Sequence, residues 1–109
     1  MGGDEIDGNG RNTRRAQVRI GAQIRADGGP RFSVDVLDLS LSGFRIHSLN
    51  YIGPEARVVL TLPELSPLSA HIVWANADIY GCAFDAPLYP AVFDHIASKF
   101  PSFGDGDSA

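Results

Sequence analysis

The stretch Gln17-Val18-Arg19-Ile20-Gly21-Ala22-Gln23-Ile24-Arg25 alternates apolar and polar side chains with a period of two. Val18, Ile20, Ala22 and Ile24 share one side, and Arg19, Gly21, Gln23 and Arg25 the other. That spacing predicts a strand with one face in a core and one in water. Ala26-Asp27-Gly28-Gly29-Pro30 has turn composition. Beyond it Phe32, Val34, Val36 and, at the end of the run, Asp38 alternate with Ser33, Asp35 and Leu37, which predicts a hairpin.

Outward from that hairpin the same reading continues. Asp38-Leu39-Ser40-Leu41-Ser42-Gly43 ends one strand, makes a short polar turn and opens the next, Phe44-Arg45-Ile46-His47. Asn50 to Pro54 is a loop, Ala56 to Leu62 a fourth strand, and Pro63 to Pro67 a proline-rich connection. Leu68 to Asn76 and Ile79 to Phe84 are the fifth and sixth strands, joined at Ala77-Asp78, with Trp74 predicted in the core. After Pro87 the pattern changes. Leu88, Val92, Phe93, Ile96, Ala97 and Phe100 recur at helical spacing, with Pro90 in the first turn where proline is tolerated. The fold class predicted is mainly β: a six-stranded antiparallel barrel or sandwich closed by one C-terminal helix. Residues 1–13 and 102–109 are predicted to be flexible tails around one domain at 14–101.

With 109 residues there is room for one core. The net charge of −4 argues against DNA or RNA as a partner. Eight of the nine basic residues are Arg, all between Arg11 and Arg57, and Lys99 is the ninth. An Arg-only set in an acidic chain fits forked, specific contacts better than diffuse attraction. Cys82 is the sole cysteine, which excludes an internal disulfide and a thiolate zinc site. Its flanking Gly81 and Ala83 predict a buried small side chain. The apolar runs are too short for membrane insertion, and the acidic, glycine-rich start lacks the order of a signal peptide. A cytoplasmic location is the expectation.

Two clusters carry chemistry. Arg14-Arg15-Ala16-Gln17-Val18-Arg19 offers three guanidinium groups, with Arg15 and Arg19 four residues apart on one side of an extended strand, about 13 Å apart. Arg11 lies just upstream. Asp38, Ser40, Ser42 and Gly43 offer a carboxylate, two hydroxyls and a glycine within six residues. A carboxylate accepts from a guanine edge, and arginines fork onto phosphate or onto guanine O6 and N7. Read locally, the same residues are an edge-guarding arginine run and a turn whose Asp and Ser bond nearby backbone while Gly43 supplies a positive φ. No His stands near the serines, and no glycine-rich loop opens a helix, so neither nucleophilic catalysis nor a P-loop cradle is legible. His47, His71 and His95 lack metal-ligand spacing and are predicted on the surface or in packing roles. No catalytic pair, metal or cofactor is expected.

Arg15-x-x-x-Arg19 followed by Asp38-x-Ser40-x-x-Gly43 resembles the two-part signature of PilZ domains, bacterial receptors for cyclic di-GMP. The likeness extends through Val36 to Ile46, Gly53, the late pair His71-Ile72-Val73-Trp74 and Tyr80-Gly81-Cys82-Ala83-Phe84, and the closing helix, covering about residues 14–100. It implies a split-barrel fold of six antiparallel strands with a C-terminal helix and a ligand on the outer barrel surface. It also implies that Arg15 and Arg19 grip phosphate and guanine edges, Asp38 reads a guanine, Ser40 bonds the guanine or a phosphate, and Gly43 allows close approach. Arg14 before the motif implies two stacked ligands per chain, with Arg11 and Ser42 as secondary contacts. The partner implied is an unidentified downstream protein, reached when the N-terminal segment orders over the ligand. The rival reading is a PilZ-like adaptor for motility or pilus assembly that binds protein through the closing helix and the Pro63 to Pro67 loop.

Overall fold

The computed structural model describes residues 15–101. The predicted tails, with Arg11 and Arg14, lie outside these residues. The alternating stretch forms β1 (Arg15–Ala26), and its apolar side, Val18, Ile20, Ala22 and Ile24, is buried. β1 starts earlier than the periodicity alone placed it. Arg15 is already paired with Ser40 of β2 (Arg31–Ser40), so it is a strand residue. At the connecting turn Asp27 and Gly28 take φ values of 51° and 75°, and the Gly29 N–H donates to the Ala26 carbonyl at 2.9 Å. Two successive positive φ values match the twist of a tight hairpin.

The remaining strands are β3 (Gly43–His47), β4 (Arg57–Thr61), β5 (Leu68–Asn76) and β6 (Ile79–Phe84). All neighbours are antiparallel, and the order β1-β2-β3-β6-β5-β4 closes on itself through the β1–β4 pair. The predicted barrel is therefore the observed one, and closure removes the free edges that an open sheet would leave. Its interior is a single cluster of Val, Ile, Leu and Phe side chains. Cys82 belongs to it as predicted, and burial pushes its thiol pKa up to about 12. The helix α1 (Pro90–Lys99) has Pro90 at its start and buries Phe93 and Ile96, which join the same cluster. It packs on β1 and β2. Leu88 N–H donates to Leu41 O at 2.8 Å, Arg19 N–H donates to Phe100 O at 3.3 Å, and Pro101 bridges Val18. So the helix is stitched to the end of the barrel where both motifs lie. None of the described helices is long and apolar enough to cross a membrane.

The ladders carry three register shifts; the one between Gln17 and Ile20 of β1 leaves its burial alternation intact, and the other two alter what the period of two predicts. Val36 faces Ile46 but Asp38 faces Arg45, so β2 carries one extra residue against β3. Ile72 faces Cys82 but Trp74 faces Gly81, so β5 does the same against β6. A bulge advances the side-chain alternation by one position and re-aims the residues beyond it. Strict alternation would point both Asp38 and Trp74 inward. The bulges place them in outer-face rows instead, and Trp74 is 44% exposed, not core as predicted.

The two-residue link between Asn76 and Ile79 holds Ala77 at φ 56°, a left-handed conformation that strains an L side chain. Replacing Ala77 with Gly relieves that strain and loses part of the gain to extra unfolded-state entropy. The expected net stabilisation is about 0.5–1 kcal/mol, read as a higher melting temperature.

Candidate functional site

The corrected register lines up five residues on the outer face of neighbouring strands: Gln17, Asp38, Arg45, Gly81 and Trp74 are successive Cα partners across β1, β2, β3, β6 and β5. The Asp38 carboxylate is the centre of this row. Arg15 Nη1 donates to its Oδ1 at 3.0 Å and Arg45 Nε donates to its Oδ2 at 2.8 Å. The Asp38 side chain is 3% exposed beneath the Arg15 and Arg45 side chains, which are themselves 55% and 39% exposed. A carboxylate has about four acceptor positions, so two bonds leave capacity for donors of a ligand. The arginine heads remain open to solvent on their other edges.

Arg19 is exposed on the same strand as Arg15, and its side chain has no partner among the described residues. Among the described residues it is the uncommitted cation of the site. A lone arginine beside a pinned Arg–Asp–Arg cluster suits an anionic group that must arrive from outside.

Ser40 is buried and committed to the turn. Its Oγ accepts from the backbone N–H of Ser42 at 3.2 Å and of Gly43 at 3.1 Å, and lies 3.3 Å from both Ser42 Oγ and the Gly43 carbonyl. Ser42 is exposed at the tip. This is the local turn chemistry that Asp and Ser composition foretold, with Ser40 making the turn bonds and Asp38 facing the arginines. Gly43 has no positive φ. It is needed for a different reason: a Cβ there would stand 2.2 Å from the Cys82 carbonyl oxygen, because β3 and β6 approach closely at the Gly43–Ala83 pair.

Of the residues singled out from sequence, the fold thus gathers Arg15, Arg19, Asp38, Ser40, Ser42 and Gly43 at one end of the β1–β2–β3 face. Arg45 was read only as a strand residue, although it is the second clamp on Asp38. The alternation of Phe44, Arg45 and Ile46 put it on the polar side, but only the register shows what it meets. Trp74 was missed as a surface residue. Its indole lies across Gly81, where an added Cβ would come within 2.1 Å of Nε1. His47 and His71 are surface residues as predicted, bonded to Asp78 at 2.8 Å and Asp85 at 3.3 Å.

An outer barrel face that joins a buried carboxylate, three arginines and an exposed indole has the chemistry to meet an anionic, planar group. Residues 9–98 match the family described as the PilZ domain, and the chain belongs to that family. PilZ domains are non-catalytic binding modules, generally for cyclic di-GMP. No curated protein gives a significant sequence match.

Proposed function

We propose that this chain is a cytoplasmic, non-enzymatic receptor for cyclic di-GMP that passes the signal to a partner protein. The observation that carries the reading is Asp38, held out of water by Arg15 and Arg45, with Arg19 beside it bonded to no described side chain. In this reading Asp38 accepts from the N1 and N2 edge of a guanine, while Arg15 and Arg19 take phosphate and guanine O6/N7. Arg45 keeps the carboxylate oriented when Arg15 swings onto the ligand. Ser40 braces the turn that brings Ser42 and Gly43 against it. Trp74, at the other end of the row, offers an indole face for stacking. The acidic net charge favours a discrete nucleotide over a nucleic-acid chain. Signal transfer would begin where Arg14 and the residues before it close over the bound ligand, and Arg11 and Arg14 would serve a second, stacked ligand.

The adaptor reading has its own support in the exposed apolar side chains of Leu49, Tyr51 and Tyr89. Thermal unfolding with and without nucleotide separates the two. A receptor gains about 2.7 kcal/mol at a free ligand concentration one hundred times its Kd, a rise of roughly 11–22 °C. The adaptor shows no shift at any nucleotide concentration.

A further inference from the structure

One outer position along β1 from Arg19, the barrel face opens into a groove of about 580 Å³. Its floor is Gly21, where nothing lies within 4 Å of an added Cβ. Gly21, Asp35 and His47 are successive Cα partners across β1, β2 and β3, so the carboxylate and the imidazole flank the bare backbone on one side. Gln23 and Leu62 stand on the other sides. The His47 ring is oriented by its 2.8 Å bond to Asp78. Asp35 is exposed, and its carboxylate has no partner among the described residues. A glycine in a central strand costs stability unless something must approach the backbone there.

Asp35 and Asp38 are three residues apart on β2, about 10 Å, with Arg19 at an intermediate level on β1. The ligand of the proposed receptor has two guanines joined by two phosphates. If one guanine is read by Asp38 and a phosphate by Arg19, the other guanine needs a second acceptor on the same face. We propose that the groove over Gly21 is the pocket for the second guanine. Asp35 accepts from that base's N1 and N2 edge, and the ring lies on the Gly21 backbone beside His47. Adenine would present its N1 lone pair to the carboxylate, so this pocket makes the site selective for two guanines over one. The inference rests on the receptor reading above.

The test is calorimetric titration of cyclic di-GMP and of mixed cyclic GMP–AMP into the wild-type chain, Asp35→Ala and Gly21→Val. Asp35 has no described partner to lose, and valine fits an open strand position, so both variants should melt at or above the wild-type temperature. The wild type should prefer the two-guanine ligand by roughly tenfold or more. Asp35→Ala should bring the two ligands to within about twofold of each other, and Gly21→Val should weaken both ligands by blocking the floor. Should both variants bind cyclic di-GMP like the wild type with the preference intact, the second base lies elsewhere and the receptor reading stands. Should the wild type bind neither ligand, the receptor reading falls and this pocket with it. Should Gly21→Val fail to fold, the preference of Asp35→Ala decides alone.

Discussion

Replacing Arg19 with Ala should weaken cyclic di-GMP binding by about 2–4 kcal/mol, roughly 30- to 700-fold, while leaving the melting temperature of the free protein unchanged. The asymmetry comes from its surroundings. Arg19 is exposed and bonded to no described side chain, so the folded state loses no contact among these residues. Its backbone N–H to Phe100 O bond survives truncation of the side chain. Binding is different, because the ligand's phosphate would lose the cation that no described side chain engages, and charge-assisted bonds are the strong ones. Arg15→Ala should behave otherwise. It would uncover Asp38 and lower stability as well as affinity, since a shielded carboxylate would keep only Arg45 as partner. Titration and thermal melting on the two variants, side by side, check the distinction. Equal losses of stability would show that Arg19 is tied into the fold after all.

The second large effect is on the fold. Gly43→Ala should cost about 3 kcal/mol, at the upper end of overpacking penalties. For a domain of this size that is a fall in melting temperature of roughly 12–24 °C. The obstacle is the Cys82 carbonyl oxygen at 2.2 Å from the new Cβ, with the Ala83 Cα and the Cys82 carbonyl carbon each at 3.3 Å. These are backbone atoms of β6 and cannot swing aside as a side chain would. β3 and β6 must therefore part beside the site. Gly53→Ala is the contrasting control. Nothing lies within 4 Å of its added Cβ and its φ is not positive, so it should be nearly neutral. A small effect at Gly43 would mean that β3 and β6 can part cheaply, and that the glycine of the second motif serves the ligand alone.

The barrel was legible because its inner faces obey a period of two: Val18, Ile20, Ala22 and Ile24 are buried in the order in which they alternate. The helix was legible because Phe93 and Ile96 recur at the other period. Asp38 and Trp74 depart from strict alternation for one cause. The bulges in β2 and β5 each add a single residue without changing composition, so periodicity carries no sign of them, yet they re-aim the residues just beyond. Asp38 and Trp74 both come after such a shift. The available signal was chemical: a carboxylate in line with an apolar row, with arginines in the strands on either side of it. Turning Asp38 outward is what allows Arg45 to reach it, and that pairing depends on register, so residue spacing could not supply it. The arginine pair and the Asp–Ser–Gly turn were found because each is local. Their convergence on one end of one face required the β1–β2 pairing of Arg15 with Ser40. Gly43 was found for an incomplete reason, since its close neighbour belongs to β6, almost forty residues further along the chain.

The central claim is that the Arg–Asp–Arg face binds cyclic di-GMP. Isothermal titration of cyclic di-GMP into the intact chain tests it most directly, with GTP and cyclic di-AMP as controls. The predicted result is micromolar or tighter binding of cyclic di-GMP alone, and two ligands per chain where Arg14 completes a stacked pair. Flat heats from a folded protein would contradict it and leave the adaptor reading, with a protein partner, as the basis of function.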